Sequence, residues 1–473
     1  MGIGKRPLPG LGARTPVMAG ACTVTGVSTQ PSARIADTVT ETKGTSATLF
    51  TGAKRSFVVR AATLPVAVVA GLLAARVTVS TLGVDGYALF ALVVGLAALN
   101  PVGDLGVGAA VTDAVARRHE LGNPGVQKVL RTSLRVLMVA ALLVTLAAWA
   151  LAYLGSWAPI LGVPASRDVE VAVATTLTLF AVGLPLGLSD RVLLGAERND
   201  IALAFQGGSG VLSLLIVILA AVTHAPLWAY VAAPSAGRIL AAAAAVPMAS
   251  AASGIPLLET VRSAMVRGRP GGRVAHLAGP MVVITATVPI AFQSDRLLLA
   301  HFSNLGQVAI YAVGAQMFAA LFGLVGAAGV SLWPMFARRR AQQPVTRPEL
   351  TKLIAAFTLI GLILAVLLVS TGPWIAHYVS QGKIEVGYDV LVAFGLLLVV
   401  HSSWFPTAML LTDRDGLRFQ AAMNVVMTVL NIAASALLAH LIGAAGPVIG
   451  SVGALIIAVW IPGVWRALSR APR

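Results

Sequence analysis

From Phe57 almost to the C-terminus, apolar runs of about 20 residues follow one another, each long enough at 1.5 Å per residue to cross a hydrocarbon layer of roughly 30 Å. The runs are continuous and do not alternate with period two, which excludes a membrane β-barrel. A backbone inside lipid must satisfy its own hydrogen bonds, so each run is expected to be a helix. With 57% apolar and 11% charged residues and a mean hydropathy of +0.86, the 473-residue chain has the composition of an all-α polytopic membrane protein.

Helices are expected to start near Phe57, Gly86, Thr132, Asp168, Ile201, Ala225, Val274, Gln307, Leu353, Val386, Leu417 and Ala445, giving about 12 spans. Residues 1–55 are rich in Thr, Ser, Gly and Pro, carry seven basic residues, and read as a disordered basic cytoplasmic tail; Met18 is an alternative start. The single cysteine, Cys22, excludes an intramolecular disulfide and a cysteine metal site.

In a soluble protein, a net charge of +16 would suggest nucleic acid. Here the basic residues fall in alternate short loops, so they report topology and call for no nucleic-acid partner. One set holds Arg117, Arg118, Lys128, Arg131, Arg198, Arg262, Arg267, Arg269, Arg273, Arg338, Arg339, Arg340, Arg414, Arg418 and the Arg466–Arg473 tail; the other holds little beyond Arg167 and Lys383. The positive-inside rule then puts both termini in the cytoplasm of a plasma-membrane protein.

The two halves echo each other. Span 2 opens LGVDGY and closes AVARR at Arg118, while span 8 opens LGQVAIY at Leu305 and closes MFARRR at Arg340. Span 4 reaches Pro185 and then LLGAERND; span 10 reaches Pro406 and then LLTDRDGL. Such echoes are common in secondary transporters and predict two pseudo-repeated six-helix lobes, residues 56–249 and 274–468, joined by a cytoplasmic linker at 250–273.

The segments LGVDGYALFALV, GDLGVGAAV, SDRLLLAHF with IYAVGAQM, and LLTDRDGLRF, in that order and spacing, resemble the multidrug/oligosaccharidyl-lipid/polysaccharide (MOP) exporter superfamily, and within it the Wzx-type polysaccharide flippases. The resemblance covers about Phe57 to Arg466. It implies a MATE-like V of two lobes that opens alternately to either side of the membrane. It also implies a polyprenyl-diphosphate-linked oligosaccharide as cargo, and a polymerase and glycosyltransferases of the same pathway as partners beside the membrane lipids. Lipid II flippases of the superfamily usually carry two further helices that this chain lacks.

Charges within the spans are the candidate functional residues, because an ionised side chain at the bilayer centre costs about 2.5–3.5 kcal/mol on insertion scales and usually faces a partner or a wet cavity. Arg238 lies roughly 20 Å into span 6, near the middle, where a guanidinium can hold a diphosphate by charge-assisted bonds. Arg76 and Arg296, near the external ends of spans 1 and 7, are candidate assistants, with snorkelling as the alternative. Asp104, Asp295 and Arg60 are candidates for gating or for coupling a proton or sodium ion, and Arg60 is placed to pair with Asp104. His401, Asn431, Gln206, Gln293 and Gln316 are candidates for a polar cavity, with interhelical hydrogen bonding as the alternative. Trp157, Trp228 and Trp374 are expected in the interfacial belt.

Three other function classes fit the sequence less well. A membrane glycosyltransferase or polymerase of the pathway needs carboxylates in a sizeable external loop, yet the longest such loop, about Pro373 to Asp389, offers only Glu385 and Asp389. No HExxH, Walker or GxSxG motif is present, and no cofactor is implied, so a transporter driven by an ion gradient, the membrane potential or its cargo is expected over an enzyme. A MATE-like multidrug cation exporter would want an acidic or aromatic cavity, whereas the deepest charge here is Arg238. A purely structural protein leaves the repeated halves unexplained.

Overall fold

The computed structural model describes the backbone of residues 32–98, 107–266, 279–330, 332–333, 335–336, 339 and 343–472, and their side chains except at 32–54, 56–57, 98, 279–286 and 330. Asp104, Arg267, Arg269, Arg273 and most of the N-terminal tail therefore lie outside the described residues. The first 51 residues form a unit separate from Gly52–Arg473, and the membrane-length helices all belong to the second unit.

Among the described residues, ten helices are long and apolar enough to cross a membrane. Helix α1 (Ser32–Ala98) holds the first two expected spans, because Gly83 breaks it at φ 75°, ψ −172°. Only glycine adopts that backbone without strain, so the expected external turn LGVDG narrows to a single residue between two helical limbs. After α2 (Val107–Ala116) comes α3 (Arg118–Tyr153), broken at Gly122 with φ 65° just before Pro124. Its membrane limb thus starts earlier than the expected Thr132. The short α4 (Trp157–Leu161) is capped by Glu170, a 7% exposed carboxylate whose Oε2 and Oε1 accept from the backbone N–H groups of Trp157 (3.1 Å) and Ala158 (2.9 Å). Trp157 is itself buried and donates to the Ala148 carbonyl at 2.9 Å, so it is a core residue and not part of an interfacial belt.

Helix α5 (Arg167–Leu186) starts at Ser166, whose hydroxyl accepts from the Asp168 N–H, and stops at Pro185–Leu186–Gly187, after which α6 (Leu188–Gly195) begins. Then come α7 (Asn199–Val222), α8 (Leu227–Ser253) and the amphipathic α9 (Leu257–Met265). The second half comprises α10 (Gly279–Phe302), α11 (Leu305–Val330), α12 (Arg347–Ser380), α13 (Tyr388–Leu410), α14 (Arg414–Ile442) and α15 (Ala445–Leu455), the last joined by a π-turn at Ile456–Trp460 to α16 (Ile461–Arg470). Helix α12 opens with a capping box in which the Glu349 carboxylate accepts from the Thr346 N–H at 3.0 Å.

Packing divides these helices into two lobes. In the first, α3, α5, α7 and α8 pair with one another, and α1 lies on α7, where Thr63 and Ala67 close onto Gly207 and Gly210. In the second, α12 pairs with α13, α14 with α10 and α15, and α11 with α13. The lobes meet where α1 and α4 face α10, α11 and α12, and one continuous apolar core crosses that seam, from Val79, Tyr87 and Leu92 to Tyr311, Phe394 and Leu391.

Arg118, read as a topology marker, and Arg135 of α3 also close helix ends. Arg118 donates to the Ala252 and Ser253 carbonyls (3.3 and 3.4 Å) at the C-terminus of α8, and Arg135 to the Ala264 and Val266 carbonyls (2.9 and 3.0 Å) after α9. A cation there satisfies carbonyls that the helix leaves without partners and complements the negative end of its dipole.

Candidate functional site: a cationic cavity in the first lobe

Helix α8 is about 40 Å long and carries Arg238 about 16 Å from its start, within the depth of the bilayer. Ser235 precedes it by one turn and Ala241 and Ala242 follow by one turn, so the face around the guanidinium is made of small side chains. That face opens on a cavity of about 650 Å³ walled by α5, α6, α7 and α8. Helix α6, which follows α5 after Gly187, adds Asp190 and Arg191 to the lining, and α7 adds Asn199, Phe205, Gln206 and Ser209.

Two guanidiniums, those of Arg238 and Arg191, thus face one carboxylate, Asp190, and they are the ionisable groups lining the cavity. Asp190 is held by Gln206, whose Nε2 donates to Oδ2 at 3.0 Å, and it lies within the electrostatic reach of both arginines. Arg238 is exposed to the cavity and makes no hydrogen bond or ion pair among the described residues. Among the described residues the lining therefore holds one more guanidinium than carboxylate, and such an excess attracts anions more strongly in low-dielectric surroundings than it would in water.

The other residues singled out from sequence are distributed elsewhere. Arg76, Arg296, Gln293 and Gln316 lie at the seam between lobes: Arg296 Nη1 donates to the Ala91 carbonyl at 2.9 Å, and the Tyr87 hydroxyl lies 3.5 Å from Gln316 Oε1. Arg60 is exposed on α1; its expected partner Asp104 is outside the described residues.

Asp295 and Asn431 share a buried network in the second lobe. Asp295, 1% exposed, accepts at Oδ2 from the hydroxyls of Tyr311 (3.0 Å) and Ser451 (3.1 Å), while its Oδ1 is buried with no hydrogen-bond partner. Asn431 Nδ2 donates to the Ala291 carbonyl at 2.6 Å, and its Oδ1 lies 2.9 Å from Ser451 Oγ and 3.1 Å from Ser435 Oγ. The single Ser451 hydroxyl proton cannot serve Asp295 and Asn431 at once, so the cluster holds more acceptors than donors. His401 is ringed by Phe322, Phe292 and Phe318, at 4.9, 5.2 and 6.4 Å between ring centroids, and packs with them instead of facing the cavity of the first lobe.

Asp190 and Arg191 were missed in the sequence because Pro185 and the basic loop LLGAERND stand out on either side of them. The available signal was an Asp-Arg pair, Asp190 and Arg191, still inside the apolar run that continues past Pro185.

The sequence model of the polysaccharide biosynthesis protein family matches residues 66–340, more than half of the chain. The chain belongs to that family. No curated protein matches it in sequence. In structure it is similar to an inward-facing multidrug resistance MATE family transporter of the MOP superfamily, at 15% identity and a TM-score of 0.63, over 87% of this chain and 98% of that one. It is similar too to the lipid II flippase MurJ in an inward closed conformation, at 11% identity and a TM-score of 0.63, over 88% of both chains. A third likeness is to a MOP superfamily transporter from Pyrococcus furiosus described as having a binding pocket of reversed polarity, at 14% identity and a TM-score of 0.59, over 89% of this chain and 96% of that one. This member of the polysaccharide biosynthesis family is thus a multi-pass membrane protein with the fold of MOP-superfamily transporters, and the family is not one of enzymes.

Proposed function

We propose that the protein is a flippase that moves a polyprenyl-diphosphate-linked oligosaccharide from the cytoplasmic to the outer leaflet of the plasma membrane, for cell-surface polysaccharide assembly. The observation that carries this reading is Arg238: a guanidinium within bilayer depth that makes no hydrogen bond or ion pair among the described residues and faces a cavity whose described lining is more basic than acidic. Arg238 and Arg191 hold the diphosphate through charge-assisted bonds, the fork geometry of guanidinium suiting phosphate oxygens. Gln206, Asn199, Ser209 and Ser235 offer donors and acceptors to sugar hydroxyls, Phe205 offers a stacking surface, and the lipid tail stays in the bilayer. The family membership supports a lipid-linked glycan as cargo and points to the polymerase and glycosyltransferases of that pathway as neighbours. The charge of the cavity disfavours a drug cation.

In this reading the lobes, about residues 56–249 and 274–468, rock about the 250–273 linker, and both termini face the cytoplasm, an orientation that the distribution of basic loops supports. Replacing Arg238 with Ala should abolish accumulation of lipid-linked oligosaccharide in the outer leaflet of cells or vesicles while leaving the protein in the membrane. Unchanged flipping would overturn the assignment.

The Asp295 network supports a second role, ion coupling. A buried carboxylate with one oxygen free of hydrogen bonds, beside an acceptor-rich group of Asn431, Ser435, Ser451 and Tyr311, is completed by a proton or a sodium ion. Flipping by reconstituted protein should then depend on a proton or sodium gradient; independence from both removes the coupling role and leaves the cargo assignment standing.

A further inference from the structure

Two arginines cross the seam between the lobes in opposite directions. Arg76 of α1 reaches the second lobe, where its guanidinium donates to the Tyr378 carbonyl and lies over the Tyr378 ring, 4.3 Å from its centroid; that ring is stacked in turn on Trp374 at 6.0 Å. Arg296 of α10 reaches the first lobe and donates to the Ala91 carbonyl at 2.9 Å.

Each acceptor is one that a helix leaves available. Tyr378 lies in the last turn of α12, where carbonyls lack intrahelical partners and the helix dipole is negative. Ala91 lies inside a helix, but the residue one turn on is Gly95. A Cβ there would stand 3.2 Å from Arg296 Nη1 and 3.3 Å from its Cδ, so the missing side chain is what admits the guanidinium. The same device recurs nearby: Gln316 of α11 sits against Gly71 of α1, and His301 of α10 against Gly162 beside α4, with His301 Nε2 3.2 Å from the Pro159 carbonyl.

Both partners are neutral carbonyls, and Arg296 Nε is buried with no hydrogen bond among the described residues. Neither guanidinium is saturated. A phosphate anion is a stronger partner than a carbonyl, so separation of the lobes exchanges a weak acceptor for any anion present in the opening cleft.

We infer that Arg76 and Arg296 form a reciprocal clasp that holds this end of the molecule shut and becomes an anion site, for the diphosphate or an equivalent phosphate group, when the lobes part. The closing role is independent of the cargo; the anion role rests on the anionic-cargo reading above. An anion that binds only the parted state pulls the equilibrium toward it by mass action.

The test uses full-length protein in lipid nanodiscs, with Cys22→Ser and spin labels at Thr81→Cys and Lys383→Cys, and reads the distance distribution across the seam with inorganic pyrophosphate as the probe. Arg76→Gln with Arg296→Gln should raise the long-distance population about tenfold without anion, and Arg76→Lys with Arg296→Lys should recover part of the short-distance population. A short-distance population unchanged in the Gln pair, in protein that elutes as a single folded species, overturns the clasp. Pyrophosphate should lengthen the distance in wild type and in Arg238→Gln, but not in the Gln pair. No response in wild type overturns the anion role, as does a response lost in Arg238→Gln and kept in the Gln pair. Failure of the cargo reading shows separately, as normal flipping by Arg238→Ala with the spin-label behaviour intact.

Discussion

Gln206 on α7 donates to the Asp190 carboxylate on α6 across 3.0 Å, fixing the one acidic group that lines the cavity among the described residues, while Arg238 on α8 makes no hydrogen bond or ion pair among them. The carboxylate is held by an amide and not by a guanidinium, so it tempers the cavity charge without occupying the cation that faces the cargo. An anion entering the cavity meets two arginines and a fixed negative neighbour.

From this follows a prediction for Asp190→Asn. Removing the charge while keeping a side chain that bonds Gln206 should tighten binding of a diphosphate lipid by about tenfold, on the order of 1.4 kcal/mol. It should also slow turnover, because release becomes harder. Binding by calorimetry in detergent and flipping in proteoliposomes would separate the two effects; weaker binding would show that Asp190 holds the cargo itself.

Arg191 and Arg238 flank one volume, so they should act together. Arg191→Ala and Arg238→Ala are each expected to weaken diphosphate binding by about 2 kcal/mol, and the double variant by clearly less than their sum, since residues sharing one partner couple. Strictly additive losses in a double-mutant cycle would place the two arginines at separate sites.

Glu170 offers a stability test remote from the cavity. Glu170→Ala leaves the Trp157 and Ala158 N–H groups without their charge-assisted acceptor, a loss of about 3 kcal/mol. The unfolding temperature in detergent should fall by several degrees, with Glu170→Gln intermediate. Flipping at low temperature should persist, because α4 lies away from the cavity residues.

Asp295→Asn removes a buried charge while keeping oxygen and nitrogen atoms within reach of Tyr311 and Ser451. The protein should fold and bind cargo, yet its flipping should lose dependence on the ion gradient. A variant that still responds to the gradient as wild type does would move coupling to another group.

The membrane helices were legible from hydropathy because length and apolarity alone determine what crosses lipid, and the observed starts at Arg167, Asn199, Leu227 and Ala445 lie within a few residues of those expected. Arg238 was legible for a related reason: a charge in the middle of an apolar run stands out in one dimension. Arg76 and Arg296 stood out equally, but their partners are carbonyls of the opposite lobe, and no local pattern encodes how two lobes meet. Glu170 was overlooked because it falls in the first turn of an expected span, where a carboxylate needs no partner to be explained; its burial depends on α4 folding back over it. His401 looked like a polar cavity residue, and only the convergence of three phenylalanines from α10 and α11 shows it to be packed among rings.

At Gly187 the run of helix passes from α5 to α6. Helix α5 packs against α3 and α8, whereas α6 is a piece of eight residues that bears both Asp190 and Arg191. Leu188, Ser189, Val192, Leu193 and Gly195 of α6 are buried, which leaves Asp190, Arg191 and Leu194 as the positions that can change without repacking the lobe. On the proposed function, cargo preference would then be tuned at Asp190 and Arg191 while the rest of the helical frame stays as it is.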